Sequence, residues 1–211
     1  MEMIGWVPLL ATALVVGVIH TLAGPDHTVP FVAMARAGNW PLRKTLTVTF
    51  LCGLGHIGGS LVLAAAGAAF GWSLGRVAAL DALRGDGAGW LLAGFGLVYA
   101  AWGLYRSRRG HSGHEHAADS MTPWVLFVIF AFGPCEALLP LVVLPAIQGS
   151  WVGLTSIVLV FSAATVGTML VVVWLGWAGL KRFGSPRWER YTHAVAGLSV
   201  ALCGLAICMG L

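Results

Sequence analysis

Six long stretches of this 211-residue chain contain no charged side chain, and they restrict its fold more than any other feature. They cover residues 3–25, 45–75, 87–105, 120–135, 137–180 and 191–211. A helix of about 20 apolar residues spans the hydrocarbon core of a bilayer. Only 9% of the residues are charged, and the mean hydropathy is +0.86. The sequence therefore predicts an all-α polytopic membrane protein.

We expect six transmembrane helices in two halves of one membrane domain. The expected spans are residues 4–35, 45–70, 87–105, 121–146, 152–180 and 191–211. The first three-helix half comprises residues 1–105, a polar linker residues 106–120, and the second half residues 121–211. Gly24-Pro25 and Gly133-Pro134 should break helices one and four, because proline has no backbone N–H and clashes with the preceding turn.

Basic residues are concentrated in alternate loops. The loop after the first span holds three of the 12 lysines and arginines, the central linker three, and the loop before the sixth span four. Arg76 and Arg84 fall on the opposite side. The positive-inside rule places the crowded loops in the cytoplasm. We therefore expect both termini outside a cytoplasmic (inner) membrane.

The two expected breaks resemble each other in sequence. Gly24-Pro25-Asp26-His27 has a counterpart 109 residues later in Gly133-Pro134-Cys135-Glu136. Because each half has an odd number of spans, the second half would be inverted relative to the first. Inverted repeats with broken helices that meet near the midplane form many secondary transporters. The alternative is chance similarity between apolar helices.

Asp26 and Glu136 are the acidic residues inside the expected spans. A carboxylate in lipid needs a cation, a proton or a partner. The expected spans contain no lysine or arginine that could pair with these two acids. We therefore expect metal ions or protons to offset their charge.

Histidines also occur within the expected spans. His56 lies among glycines of the second span, whose small size lets another helix approach closely. Imidazole and carboxylate together suit divalent first-row metals, and a thiolate from Cys135 would add a softer ligand. The predicted metal ligands are His20, Asp26, His27, His56, Cys135 and Glu136. Alternatively, His56 makes a hydrogen bond between helices and Cys135 is a packing residue.

The central linker contains three further histidines, His111, His114 and His116. Short histidine-rich tracts bind transition metals. This tract would collect or sense metal on the cytoplasmic side, outside the transport pathway. The alternative is a flexible, solvated loop.

The sequence His-Thr-Leu-Ala-Gly-Pro-Asp-His at residues 20–27, followed by Gly-Leu-Gly-His at residues 53–56, resembles the nickel/cobalt transporter family. It is most similar to the six-span urease-accessory-type permeases. The resemblance implies that the histidines and the aspartate of the first segment form the family's histidine-rich motif, with His56 as its second-helix histidine. The family motif has four residues between the first histidine and the Asp-His pair, and this chain has five.

The Gly-Pro-Cys break in an inverted repeat also resembles the cytochrome-biogenesis and thiol-disulfide membrane reductases, within the wider lysine-exporter-like superfamily. Those proteins work with a cysteine at the break in both halves, whereas this chain has Cys135 in one and Asp26 in the other. A membrane thiol-disulfide electron carrier and an anion or sulfur-compound exporter are therefore the alternatives to metal transport.

The leading hypothesis is a secondary transporter of Ni²⁺ or Co²⁺, in which the metal is the substrate and no cofactor is expected. We expect the chain not to be an enzyme. No P-loop motif occurs, so we also do not expect an ATP-driven pump. The net charge of +4 follows from the basic loops and does not indicate nucleic acid. The lipid bilayer is the other expected partner, and assembly as a homo-oligomer stays open. The linker histidines favour efflux, whereas the family resemblance favours uptake.

Overall fold

Helices account for the regular secondary structure throughout the residues that the structure describes. This computed structural model describes residues 3–109, 116–133, 135, 137–182 and 191–210. In chain order the elements are α1 (Met3–Ala23), a 3-10 turn (Pro25–His27), α2 (Val29–Ala37), α3 (Leu42–Ala69), α4 (Leu74–Arg109), α5 (His116–Phe132), α6 (Leu138–Ile147), α7 (Trp151–Arg182) and α8 (Thr192–Cys208). The described ranges contain no strand, which confirms the predicted all-α class.

Four of these helices are long and apolar enough to cross a membrane. They contain the segments Trp6–Ala23, Leu42–Ala69, Leu74–Arg108 and Trp151–Leu180, with mean hydropathies between 1.4 and 2.3. Large apolar side chains such as Val62, Val98, Trp124 and Leu159 are about 70% exposed on the outer surface of the helical body. An apolar exterior around long apolar helices is consistent with a polytopic membrane protein.

The helices end where the glycine-proline pairs predict a break. Helix α1 stops at Ala23, and the N–H of Gly24 donates to the carbonyl of His20 at 3.0 Å. Pro25 has no N–H to continue the helical pattern, so the chain makes a 3-10 turn before α2. In the second half, α5 ends at Phe132 and α6 begins at Leu138. Each of these expected spans therefore consists of two helices.

Helix α4 extends beyond the expected third span at its N-terminal end. The sequence analysis placed the start of this span near Gly87, but the helix begins at Leu74. Asp81 and Arg84 therefore lie within a helix that is long and apolar enough to cross a membrane, and not in a loop. Nη1 of Arg84 lies 3.0 Å from Oδ1 of Asp81, three residues earlier. This ion pair lowers the free-energy cost of placing the two charged side chains on a helix that packs against its neighbours.

The described ends of the central linker are helical. Helix α4 continues to Arg109 and α5 begins at His116, so both described ends of residues 106–120 are helical. The predicted metal-collecting residues His111 and His114 lie outside the described residues, as does the side chain of His116.

Small residues bring α4 and α8 into close antiparallel contact. Glycine recurs every seven residues at Gly89, Gly96 and Gly103 on α4, and at Gly197 and Gly204 on α8. A Cβ atom added at Gly96 would collide with the backbone of α8, and one added at Gly197 with the backbone of α4. Helices in lipid associate closely through such small residues.

The remaining helices surround α3 and α7, which contact each other. Helix α1 packs against α7, α5 packs against α3, and α2 packs against α8. The 3-10 turn contacts α1, α2 and α8. This arrangement places the first helix break inside the helical body, beside the middle of α3.

Candidate metal centre

Three histidines from different parts of the first half lie together at the first break. His20 is in the last turn of α1, His27 ends the 3-10 turn, and His56 is near the middle of α3. One ring nitrogen from each histidine can be chosen so that the three nitrogens all lie within 4.8 Å of one another. The ring centroid of His27 is 4.7 Å from that of His20 and 5.1 Å from that of His56. We call these three residues the histidine cluster.

Close packing around α3 positions His56. A Cβ atom at Gly53 would lie 3.2 Å from the side chain of Val166 on α7. A Cβ atom at Gly55 would lie 3.1 Å from the ring of Phe127 on α5. These glycines therefore let α5 and α7 press against α3 on either side of His56, as the small residues of this span predict.

The histidine cluster is buried and offers free ring nitrogens. His27 and His56 are 3% and 4% exposed, and His20 is partly buried. Nε2 of all three is buried and has no hydrogen-bond partner among the residues that the structure describes. Buried polar atoms normally have a partner, and leaving one unpaired costs about 1–3 kcal/mol. Three imidazoles whose ring nitrogens come within 4.8 Å of one another are suited to binding a metal ion.

Asp26 contacts this cluster through His27. Oδ1 of Asp26 lies 3.1 Å from Nδ1 of His27. A carboxylate that accepts the Nδ1 proton leaves the Nε2 lone pair available, and metal-binding histidines usually have such a partner. The sequence predicts Asp26 as a direct metal ligand. The structure places Asp26 as the hydrogen-bond partner of His27, whereas the three histidines form the group of converging nitrogens.

Gly24 makes this Asp26–His27 pairing possible. A Cβ atom at this position would lie 2.5 Å from Nδ1 of His27 and 2.7 Å from Oδ1 of Asp26. Both distances are shorter than non-bonded contact allows. The absence of a side chain at Gly24 therefore leaves space for the Asp26 carboxylate and the His27 imidazole beside the break.

A cavity of about 530 Å³ adjoins the histidine cluster. All three histidines and Asp26 line it, and apolar side chains form most of the rest of its wall. Gly133 and Ala137 line the same cavity from the second half. A Cβ atom at Gly133 would lie 3.4 Å from Nδ1 of His56. Residues of both breaks therefore border one cavity.

The sequence predicts two metal ligands at the second break, Cys135 and Glu136, and the structure describes the first of them. Cys135 is fully buried, and its backbone N–H donates to the hydroxyl of Ser60 at 2.9 Å. Its side chain is not part of the histidine cluster. Glu136 lies outside the described residues, so its predicted role stays a prediction.

The sequence analysis did not identify Ser60, Asp81 and Arg84 as site residues. They form a polar group directly beside the second break, in which Ser60 and Asp81 are buried and Arg84 is partly buried. The available signal was the opposite charge of Asp81 and Arg84 three residues apart, a spacing that pairs side chains on a helix. Both residues lie outside the charge-free stretches, which is why the sequence predicts a loop there.

Comparisons with protein-family models, with curated proteins and with solved structures find no match to this chain. The fold and the site by themselves define an all-helical protein, consistent with a membrane protein, that contains a buried histidine cluster at a helix break.

Proposed function

We propose that this chain is a secondary transporter of divalent first-row transition-metal ions. The observation that carries the proposal is the histidine cluster, in which ring nitrogens of three residues lie within 4.8 Å of one another. Neutral imidazole is the commonest protein ligand for such metals, and it is a poor match for Ca²⁺ or Mg²⁺, which prefer oxygen. An apolar helical body around these nitrogens would bind a metal away from bulk water.

The choice of Ni²⁺ or Co²⁺ rests on the resemblance of residues 20–27 and 53–56 to the nickel/cobalt transporters. Both ions accept imidazole ligands. The adjoining cavity is much larger than a bare ion, so it has room for a hydrated one. A transported ion must exchange its ligands, and water molecules beside three imidazoles would permit that exchange.

The packing of the helices supports an inverted repeat within this proposal. Exchanging the halves converts the α1–α7 contact into the α5–α3 contact, and both contacts occur. The same exchange maps the α3–α7 and α4–α8 contacts onto themselves, and both of these also occur, whereas the α2–α8 contact has no comparable counterpart between α6 and α4. Six spans in two inverted halves would place the two breaks at one central site, as in many secondary transporters.

A site between two halves offers a route to both sides of the membrane. Rocking of one half against the other would open the cavity to each side in turn. The basic loops favour a cytoplasmic membrane with both termini outside. Because the metal and the protons that bind imidazole compete for the same nitrogens, metal movement could be coupled to proton movement.

Metal flux into proteoliposomes tests this function. The purified chain, reconstituted and assayed with ⁶³Ni²⁺ and with Co²⁺, should transport the metal, and His27→Ala should abolish transport. His193→Ala is the matched control, because His193 pairs with Tyr99 between α4 and α8 at 2.9 Å and is not part of the histidine cluster. Equal flux through both variants would overturn the proposal.

A further inference from the structure

A second buried polar group lies between α3, α4 and the second helix break. The Ser60 hydroxyl donates to Oδ1 of Asp81 at 3.2 Å, and Nη1 of Arg84 donates to the same oxygen at 3.0 Å. Ser60 is fully buried and Asp81 is 1% exposed. We call these three residues the polar clamp. The proposed metal site does not use them.

The polar clamp binds both backbone groups that the second break separates. In an uninterrupted helix the N–H of Cys135 would donate to the carbonyl of Ala131 four residues earlier. Here that N–H donates to the Ser60 hydroxyl at 2.9 Å. Nη2 of Arg84 donates to the Ala131 carbonyl at 3.1 Å. Two side chains thus provide the donor and the acceptor that the helix itself would supply.

Arg84 also connects this break to α3. Its Nη1 donates to the carbonyl of Gly59 at 3.3 Å. A Cβ atom at Gly59 would collide with the Ala131 carbonyl and would lie 2.6 Å from Nη2 of Arg84. The planar guanidinium has several donors in a rigid arrangement, so one arginine can bind Asp81 and two backbone carbonyls at once. A lysine ammonium cannot reproduce this geometry.

The clamp is adjacent to the histidine cluster on α3. His56 and Ser60 are four residues apart and therefore share one face of the helix. His56 faces Gly133 at the start of the second break, and Ser60 holds Cys135 two residues further on. Moving the break relative to α3 would therefore move the wall of the cavity beside His56.

We propose that Ser60, Asp81 and Arg84 are positioning residues, which hold the second helix break against α3 and so keep His56 in place beside His20 and His27. The effect on metal binding rests on the proposed function, whereas the restraint on the break does not. The clamp makes the second break a fixed wall of the cavity. The first break, in contrast, carries the metal-binding side chains.

Thiol labelling of the metal-free, full-length chain tests the restraint directly. N-ethylmaleimide labelling, resolved by peptide mass spectrometry, should be about tenfold faster at Cys135 in Arg84→Gln and in Ser60→Ala, as expected for the loss of a buried hydrogen bond. Cys52 is equally buried but lies in α3, so it should label as slowly as before. Arg76→Gln is the matched control, since Arg76 lies on α4 over the ring of Trp72.

Two outcomes of this labelling would overturn the proposal. One is an unchanged rate at Cys135. The other is an equal increase at Cys135 and Cys52, which would show that the whole helical body has loosened. Ser60→Thr keeps the hydroxyl and should restore slow labelling of Cys135, which separates loss of the hydrogen bond from a change in packing.

Co²⁺ binding then tests the consequence for the metal site. The visible absorption of bound Co²⁺ reports the geometry of its ligands. Arg84→Gln should weaken Co²⁺ binding about tenfold and alter this spectrum, as expected for a residue that orients a ligand from outside the coordination sphere. A spectrum and an affinity equal to those of Arg76→Gln would contradict the effect on His56. If the unmodified chain binds no Co²⁺, the proposed function fails, and the labelling result alone decides the restraint.

Discussion

Oδ1 of Asp26 lies 3.1 Å from Nδ1 of His27, and this pairing decides which nitrogen of His27 is available to a metal. If the carboxylate accepts the Nδ1 proton, the lone pair is on Nε2. Nε2 has no hydrogen-bond partner among the described residues. Asp26 is therefore placed to orient His27.

Asp26→Asn should weaken Ni²⁺ or Co²⁺ binding by about 10- to 100-fold, because an amide oxygen is a poorer partner for the imidazole than a carboxylate. Isothermal titration of the detergent-solubilised protein measures this change. Asp86→Asn is the control, because Asp86 is exposed on α4. An unchanged affinity in Asp26→Asn would show that the pairing does not influence the metal.

Gly24→Ala should abolish high-affinity metal binding while leaving the helices folded. The added Cβ would lie within 2.7 Å of both Asp26 and His27, so at least one of these side chains would have to move and their pairing would be disturbed. Gly94→Ala offers a matched control in α4, where a Cβ meets nothing within 4 Å. Titration with Co²⁺ and circular dichroism separate loss of the site from loss of the fold.

Metal should raise the thermal stability of the unmodified chain. A ligand that binds only the folded state at 100 times its dissociation constant stabilises it by about 2.7 kcal/mol. We expect Ni²⁺ or Co²⁺ to increase the melting temperature and Mg²⁺ to leave it unchanged, since Mg²⁺ prefers oxygen ligands. The increase should disappear in the double variant His20→Ala/His27→Ala. An equal increase with Mg²⁺ would point to a nonspecific effect of divalent ions.

Gly197→Val should destabilise the contact between α4 and α8. The new side chain would have to displace the backbone of α4 at Ala100, and overpacking of this kind costs about 1–3 kcal/mol. Thermal unfolding in detergent should show a lower melting temperature. Gly179→Val near the end of α7 provides the comparison, because a Cβ there has no neighbour within 4 Å. Equal melting temperatures would mean that the close contact contributes little.

The sequence by itself determined the helical class, the presence of long apolar helices and the position of the helix breaks. These depend on local properties, namely hydropathy and the missing N–H of proline. Asp26 and His27 directly follow Pro25 in the sequence, so both residues lie at the helix break whatever the break packs against. The glycines around His56 likewise predicted close helix packing from composition alone.

Tertiary structure alone decided which of these side chains meet. His56 is 29 residues beyond His27 in sequence, and only the packing of α3 against its neighbours brings the two rings to 5.1 Å. The pairing of Asp26 with His27 depends on the torsions of the turn, which local chemistry does not specify. Arg84 joins three separate elements, and its carbonyl partners in α3 and α5 become visible only when those helices are in place.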